Sequence, residues 1–218
     1  MKPYRMDHIM TILRKEAAKF ATPAVGVIAE ETKDPYCVLI SCILSLRTRD
    51  EVTDAASRRL FHQAKTPHKM ITLSRDQIEK EIYPASFYRN KSRHILALSM
   101  ELLEKHGGHV PQSLTALLTL PGVGRKTANL VRTVAFGQLG ICVDTHVHRI
   151  SNRIGIITTK NADESEMALR ERLPRKYWIT YNDILVPYGQ FVCRPISPFC
   201  SLCKISSYCD KAGVIKSR

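Results

Sequence analysis

The chain has 218 residues, 44% of them hydrophobic, which suffices for one large domain or two small ones with a substantial core. Its 33 Lys and Arg outnumber 20 Asp and Glu, and the formal net charge of +13 favours a polyanionic partner. With no apolar run near the roughly 20 residues of a membrane helix and no secretory signal, we expect a cytoplasmic, nucleoid-associated protein without a membrane partner.

Most of the sequence follows the 3.6-residue period of α-helices, interrupted by Pro, Gly and short polar turns. We predict helices at 6–19, 36–46, 50–63, 74–82 and 90–106, and the apolar composition of 36–46 indicates a buried helix. Asp50 and Ser74 are candidate N-terminal caps, and Gly107-Gly108 is a typical helix end. Segment 37–44 is also compatible with a strand, yet no alternating partner strand is visible. An all-α fold is therefore predicted.

Residues 120–131 read Leu-Pro-Gly-Val-Gly-Arg-Lys-Thr-Ala-Asn-Leu-Val and place a tight turn between two helical patterns. Its two glycines permit positive φ and close approach of a partner. The N–H groups of the turn, at the start of the second helix, suit a phosphate oxygen. Lys126 lies in the first turn of that helix, and Asp144 follows. An amine and a carboxylate beside a phosphate-binding turn indicate chemistry on a nucleic-acid backbone.

Each of these two residues also has a simpler interpretation. Lys126 would only contact phosphate in a binding hairpin, and Asp144 would cap a helix ahead of Thr145 and His146. Basic residues recur along the chain, Lys91 and Arg93 among them, which predicts a basic face on a folded surface.

Four of the seven cysteines lie in the tail with the spacing C-x6-C-x2-C-x5-C: Cys193, Cys200, Cys203 and Cys209. Four thiolates this close converge on one metal centre if the chain wraps around it, and Pro195 and Pro198 favour such a non-helical loop. A structural zinc site and an iron–sulfur cluster both use four cysteines, so the spacing leaves both open. The other three, Cys37, Cys42 and Cys142, are expected in the core.

With these motifs, the chain resembles the endonuclease III family of helix-hairpin-helix DNA glycosylase/lyases. The resemblance covers nearly all of it: LSLRTRDEVT at 44–53, FYRNKSRHI at 87–95, GGHVP at 107–111, LPGVGRKTAN at 120–129, VDTHVHR at 143–149 and the cysteine tail. It implies two helical domains flanking a DNA-binding cleft. One is a six-helix barrel with the helix-hairpin-helix motif at 27–138. The other combines 1–26 with 139–218 and carries a 4Fe–4S cluster on the four cysteines.

The resemblance also implies a function in base-excision repair. The protein would remove oxidised pyrimidines from double-stranded DNA and nick abasic sites, acting as a monomer. Lys126 would attack C1′ of the damaged nucleotide, with Asp144 as the paired carboxylate. His146 matches the VDTH pattern, where it looks structural. Further contacts with DNA would come from the turn, the helix starts and the cluster loop: Gly122, Val123, Gly124, Arg125, Thr127, His146, Arg194 and Lys204.

Three positions depart from the family's pattern, and two of them concern the hole that base extrusion leaves in the duplex. The family's glutamine that fills the hole left by an extruded base is replaced by Arg47, and its leucine wedge by Phe87. Arg47 can donate to an orphaned base, with a preference for guanine O6 and N7, and Phe87 can stack between bases. Alternatively, both are tolerated substitutions. His148 stands where an aromatic residue is expected.

Two other functions stay open. One is a monofunctional, mismatch-specific glycosylase of the same superfamily, which Lys126 disfavours because those enzymes lack lysine at this position. The other is a non-catalytic DNA-binding module with an iron–sulfur cluster, which would need neither Lys126 nor Asp144.

Overall fold

A computed structural model describes residues 3–218, with side chains from Arg5 onward. Over this range the regular structure is helical, with twelve α-helices, two short 3-10 helices and no strand, so the all-α prediction is confirmed. None of the helices in this range is long and apolar enough to cross a membrane. The chain forms two compact units, Ala24–Gln138 and the segment ending at Pro23 together with Leu139–Arg218. The domain boundaries drawn from the resemblance, and the barrel, stay predictions.

The unit Ala24–Gln138 consists of eight helices, of which α5 and α8 have only four and six residues. They are α2 (Ala24–Thr32), α3 (Pro35–Ser45), α4 (Asp50–Gln63), α5 (Pro67–Met70), α6 (Arg75–Ile82), α7 (Tyr88–His106), α8 (Leu114–Thr119) and α9 (Arg125–Phe136). Helix α3 forms the centre of this unit: residues 36–44 are all buried, and α2, α4, α7 and α9 pack on it. A helix that is apolar on every side must be enclosed in this way.

Local signals explain where several of these helices begin and end. Ser74 caps α6 through reciprocal hydrogen bonds with Gln77, and Gly107 ends α7 at φ 58°, as predicted. The prediction that Asp50 caps α4 is wrong, because α4 begins at Asp50 and its N-cap is Arg49. The Asp50 carboxylate instead accepts a hydrogen bond from the Ala24 N–H, 3.5 Å away at the start of α2. It thereby joins two helix starts.

The second unit contains α1 (Pro3–Ala17), α10 (Thr145–Ile154), α11 (Ala162–Arg172) and α12 (Tyr181–Phe191). The 3-10 helices are Arg175–Tyr177 and Ser206–Tyr208. Helices α1 and α10 pack on α12, whose Tyr181 is fully buried and shares a 2.9 Å hydrogen bond with Ser151. This core holds α10, which carries Asp144 at its start, against the segment that leads into the cysteine tail.

Candidate active site and cysteine centre

The predicted phosphate-binding turn lies between α8 and α9 and completes a helix-hairpin-helix motif. Gly122 has φ 77°, and a Cβ there would lie 2.8 Å from His94 Nδ1, so only glycine fits. Gly124 differs: its φ of −97° is ordinary extended backbone, so positive φ is not its role. It is exposed, and a Cβ would meet no atom within 4 Å. This open surface leaves room for a partner's backbone.

Two of the residues in this turn that are predicted to contact DNA have buried side chains. The Val123 N–H donates to the Leu120 carbonyl oxygen at 3.1 Å, and its side chain is buried, so Val123 closes the turn. The Thr127 side chain is buried, and its predicted contact with DNA stays a prediction. The helical ladder of α9 begins at the Ala128 N–H, which donates to the Gly124 carbonyl oxygen at 2.9 Å. The predicted contacts of Gly122, Gly124 and Arg125 stay predictions.

Lys126 is partly exposed in the first turn of α9, directly after the turn. Beneath it in the same unit lies Cys42, which is fully buried on α3. Burial raises the pKa of the Cys42 thiol to about 12, against the opposing effect of the Lys126 charge. Cys42 is therefore a neutral core thiol, as predicted, and does not pair with the lysine as a thiolate.

Asp144 is the N-cap of α10, which confirms the capping interpretation. Its Oδ1 atom accepts hydrogen bonds from the N–H groups of His146 and Val147, both at 2.8 Å. The two bonds fix the orientation of a partly exposed carboxylate. Capping does not compete with a chemical role, since it leaves the carboxylate at the protein surface.

The side chains that follow on α10 bind to other elements of the same unit. His146 Nδ1 lies 3.0 Å from Arg149 Nη2, and its ring packs so closely on Gly189 of α12 that no Cβ fits there. Arg149 donates to the carbonyl oxygens of Gly189 and Cys193 at 3.0 and 2.9 Å. These contacts agree with a structural His146, and its contact with DNA stays a prediction. His148 shares a 2.6 Å hydrogen bond with Ser165 and so joins α10 to α11.

The four tail cysteines line one cavity, whose wall includes Ile150, Tyr188 and Phe199. Residues between Phe191 and Ser206 form no helix, as the two prolines predict. Within residues 3–218, no three His, Cys, Asp or Glu side chains are grouped as ligands of a single metal ion. The structure thus shows the convergence of the thiols but not the metal.

Hydrogen-bonding groups lie against three of the sulfur atoms of this cavity. Arg153 Nη1 lies 3.4 Å from Cys193 Sγ, the Tyr188 hydroxyl 3.1 Å from Cys203 Sγ, and the Lys211 N–H 3.4 Å from Cys209 Sγ. Arg153 also donates to the Arg194 and Pro195 carbonyl oxygens, both at 2.7 Å. The Arg153 and Lys211 donors favour the thiolate form of sulfur, whereas burial raises the pKa of the Cys203 and Cys209 thiols.

The two predicted phosphate contacts of this loop, Arg194 and Lys204, are both exposed. The Arg194 guanidinium lies over the Phe199 ring, 5.2 Å from its centroid, and Arg218 lies 4.4 Å from the same centroid. Stacking limits the orientations available to Arg194. Both DNA contacts stay predictions.

Arg47 and Phe87, two of the departures from the family's pattern, lie together. Their backbones are both left-handed, with φ 55° and 58°, and both side chains are exposed. The Arg47 guanidinium lies 5.7 Å from the Phe87 ring centroid, at cation–π distance. Sequence reasoning treated them as separate substitutions, and nothing in the local sequence signals their contact.

Comparison with known proteins relates this geometry to a family. The profile of the HhH-GPD superfamily base excision DNA repair proteins matches residues 40–175, a span that includes Lys126 and Asp144. The chain is 45% identical to Endonuclease III of Thermotoga maritima over 177 residues, which is 81% of this chain and 83% of that protein. The chain belongs to the endonuclease III family.

Solved structures of endonuclease III have the same fold. A trapped endonuclease III–DNA covalent intermediate with an estranged adenine matches with a TM-score of 0.78 and 36% identity, over 82% of this chain and 84% of that one. A non-covalent endonuclease III–DNA complex matches with a TM-score of 0.83 and 33% identity, over 94% and 95% of the two chains.

Proposed function

We propose that this chain is a bifunctional DNA glycosylase and AP lyase of base-excision repair. Its substrate is double-stranded DNA with oxidised pyrimidines or abasic sites. The observation that carries the proposal is Lys126 in the first turn of α9, two residues after the exposed Gly124. An amine at a phosphate-binding turn can reach the sugar of a nucleotide held there. A relative captured as a covalent endonuclease III–DNA intermediate supports this chemistry.

The reaction follows from the residue types. The Lys126 nitrogen forms a bond to C1′ as the C1′–base bond breaks, and the base leaves with the electron pair and takes up the proton that the nitrogen loses. Opening of the sugar ring gives a Schiff base, which acidifies the C2′ hydrogens. Loss of a C2′ proton then expels the 3′ phosphate, and this β-elimination nicks the strand. Positive charge develops at C1′ during base loss, and the Asp144 carboxylate stabilises it.

The direct test is borohydride trapping and nicking of duplex DNA that carries thymine glycol, an abasic site or a mismatch, each opposite all four bases. We expect a trapped complex and a nick with thymine glycol and with the abasic site. Base release without trapping would contradict the lyase and favour a monofunctional glycosylase. DNA binding without base release or nicking would contradict both activities and favour a non-catalytic DNA-binding module.

Replacement of Asp144 by asparagine should separate its two roles. Asparagine is as good an N-cap as aspartate, so α10 and the thermal unfolding midpoint should change little. Removal of the charge should slow base excision by about 100-fold or more, since electrostatic stabilisation of the transition state is lost. Single-turnover excision and thermal unfolding measure the two effects.

Asp163→Asn is the matched control for Asp144→Asn. Asp163 is an exposed carboxylate in the first turn of α11. Its replacement should leave the excision rate unchanged. Equal rates for the Asp144 variant and the parent would limit Asp144 to capping.

We further propose that the four tail cysteines hold a 4Fe–4S cluster rather than zinc. Zinc would need the four sulfur atoms about 2.3 Å from one point, whereas each cubane iron takes its own thiolate, so the sulfur atoms stand farther apart. Four cysteines that line one cavity could hold either group, and the cluster is the one that the family resemblance implies. When bound, the cluster would order the loop that carries Arg194 and Lys204.

Arg47 is proposed to contact the base opposite the lesion, and Phe87 to act as the wedge. In that case Arg47→Gln should change the ranking of the four opposite bases, with the rate opposite guanine falling by about tenfold relative to the others. Excision from the four duplexes under single-turnover conditions measures this. Arg49→Gln is the control, because Arg49 is exposed two residues away and makes no capping hydrogen bond. An unchanged ranking would leave Arg47 without a role in reading the base.

A further inference from the structure

Lys91 is a buried lysine on α7, four residues after Phe87. Only 4% of its surface is exposed, so the prediction that places it on a basic face is wrong. Its ammonium donates to the carbonyl oxygens of Leu44 and Leu46 at 2.6 and 2.7 Å and to Thr48 Oγ1 at 2.8 Å. All three of its hydrogens are therefore used.

The acceptors of Lys91 surround Arg47 in the sequence. Leu46 and Thr48 are its immediate neighbours, so two of the three hydrogen bonds hold the short turn on which Arg47 lies. The third acceptor, Leu44, lies in the last turn of α3, where carbonyl groups lack helical partners. Without these bonds, the left-handed backbone at Arg47 would be free to relax.

The same hydroxyl that binds Lys91 also holds the segment before Phe87. Thr48 Oγ1 accepts a hydrogen bond from the Ser86 N–H at 3.2 Å. Phe87 is the N-cap of α7, and its carbonyl oxygen accepts from the Lys91 N–H at 3.0 Å. The Lys91 side chain and the Thr48 hydroxyl thus connect the two turns that carry Arg47 and Phe87.

A contribution to the stability of the fold does not by itself explain a buried lysine at position 91. A buried ammonium that meets only uncharged acceptors carries a desolvation penalty, and burial lowers the pKa of Lys91 to about 8. Among the ion pairs of the described residues, none involves Lys91. An apolar side chain of similar length would fill the space without that penalty, but it would hold neither turn.

From this geometry we infer that Lys91 is a positioning residue that fixes Arg47 and Phe87 as one unit, and thereby sets how strongly the enzyme discriminates the base opposite the lesion. The inference rests on the proposed function. Lys91 itself is buried, so it would act through Arg47 and Phe87 and not by contacting DNA.

The test compares Lys91→Met with the parent in three measurements. Single-turnover excision opposite all four bases reports discrimination, nicking of an abasic site in single-stranded DNA reports Lys126 chemistry alone, and thermal unfolding reports stability. We expect the ratio of the fastest to the slowest opposite base to fall by about tenfold. Single-stranded nicking should stay within about twofold, since single-stranded DNA has no opposite base.

Two further variants make the test decisive. Lys105→Met is the matched control, because Lys105 is an exposed lysine on the same helix. Thr48→Ala removes the shared hydroxyl from the other side, and it should reduce discrimination in the same direction even if Lys91→Met fails to fold. The Lys91→Met effect should also shrink strongly in an Arg47→Ala background, because both changes act through one contact.

The outcomes distinguish the inference from the function on which it rests. An unchanged ranking of opposite bases in folded Lys91→Met or Thr48→Ala would overturn the inference alone. Parallel losses on single-stranded and duplex DNA would also overturn it, because they show a general loss of structure. A parent protein that neither traps nor nicks abasic DNA would overturn the proposed function, and the inference with it.

Discussion

Replacement of Lys126 by alanine should abolish borohydride trapping and reduce strand cleavage at abasic sites by a thousandfold or more, on the order seen when a covalent nucleophile is removed. The amine forms the Schiff base, and without it the C2′ hydrogens are not acidified. The loss should appear in trapping and in nicking alike. DNA affinity should fall by only about tenfold, because Lys126 contributes one charge to a chain whose net charge is +13.

The Lys126 prediction is checked by parallel trapping, nicking and binding assays on one abasic duplex. Lys105→Ala serves as the control: it removes a lysine that is exposed on α7 and ion-paired with Glu101. It should behave as the parent in all three assays. If borohydride cross-links Lys126→Ala as efficiently as the parent, another amine is the nucleophile. A loss of binding equal to the loss of nicking would mean that Lys126 only contacts phosphate.

Cys200→Ser should lose visible absorbance and soluble yield together. A serine hydroxyl is a poor ligand for iron, and three thiolates leave one cubane iron without a protein ligand. The cavity walls around Ile150, Tyr188 and Phe199 would then lack the group that fills the space between them. Because metal binding and folding are coupled in such sites, the loop should unfold with the loss of the cluster.

Loss of the cluster from Cys200→Ser is measured by the visible absorption spectrum and by the iron and sulfide content per chain. Cys37→Ala is the matched control, since Cys37 is a buried thiol of α3 whose pKa burial raises to about 12. This variant should keep its colour. A colourless parent with one zinc per chain would rule out the cluster, as would a coloured Cys200→Ser protein with full iron content.

The parts of the fold that depend on neighbouring residues could be predicted from the sequence. Ser74 with Gln77 and Gly107 after α7 are local signals, and they mark helix ends correctly. Helix α12 was not predicted, because Pro187 inside it interrupts the helical pattern. Asp50 is the first residue of α4 rather than its predicted N-cap, because aspartate is common at both positions and the sequence does not distinguish them.

The candidate site also has parts that follow from local sequence and parts that depend on distant residues. The turn at Gly122, the position of Lys126 and the convergence of the four cysteines follow from short motifs. The burial of Thr127 and Lys91 does not, because it is decided by helices distant in the sequence. The Arg47–Phe87 contact joins residues 40 positions apart through Thr48 and Lys91, and no local pattern encodes it.

Helix α10 connects two features that are usually considered separately. It begins at the cap formed by Asp144 and ends one residue after Arg153, whose guanidinium holds the carbonyl oxygens of Arg194 and Pro195 in the cysteine loop. Ten residues span about 15 Å, so the carboxylate and the cysteine loop are attached to opposite ends of one short helix. If the four cysteines hold the proposed cluster, its loss would free the loop that Arg153 contacts, at the far end of the helix that begins at Asp144.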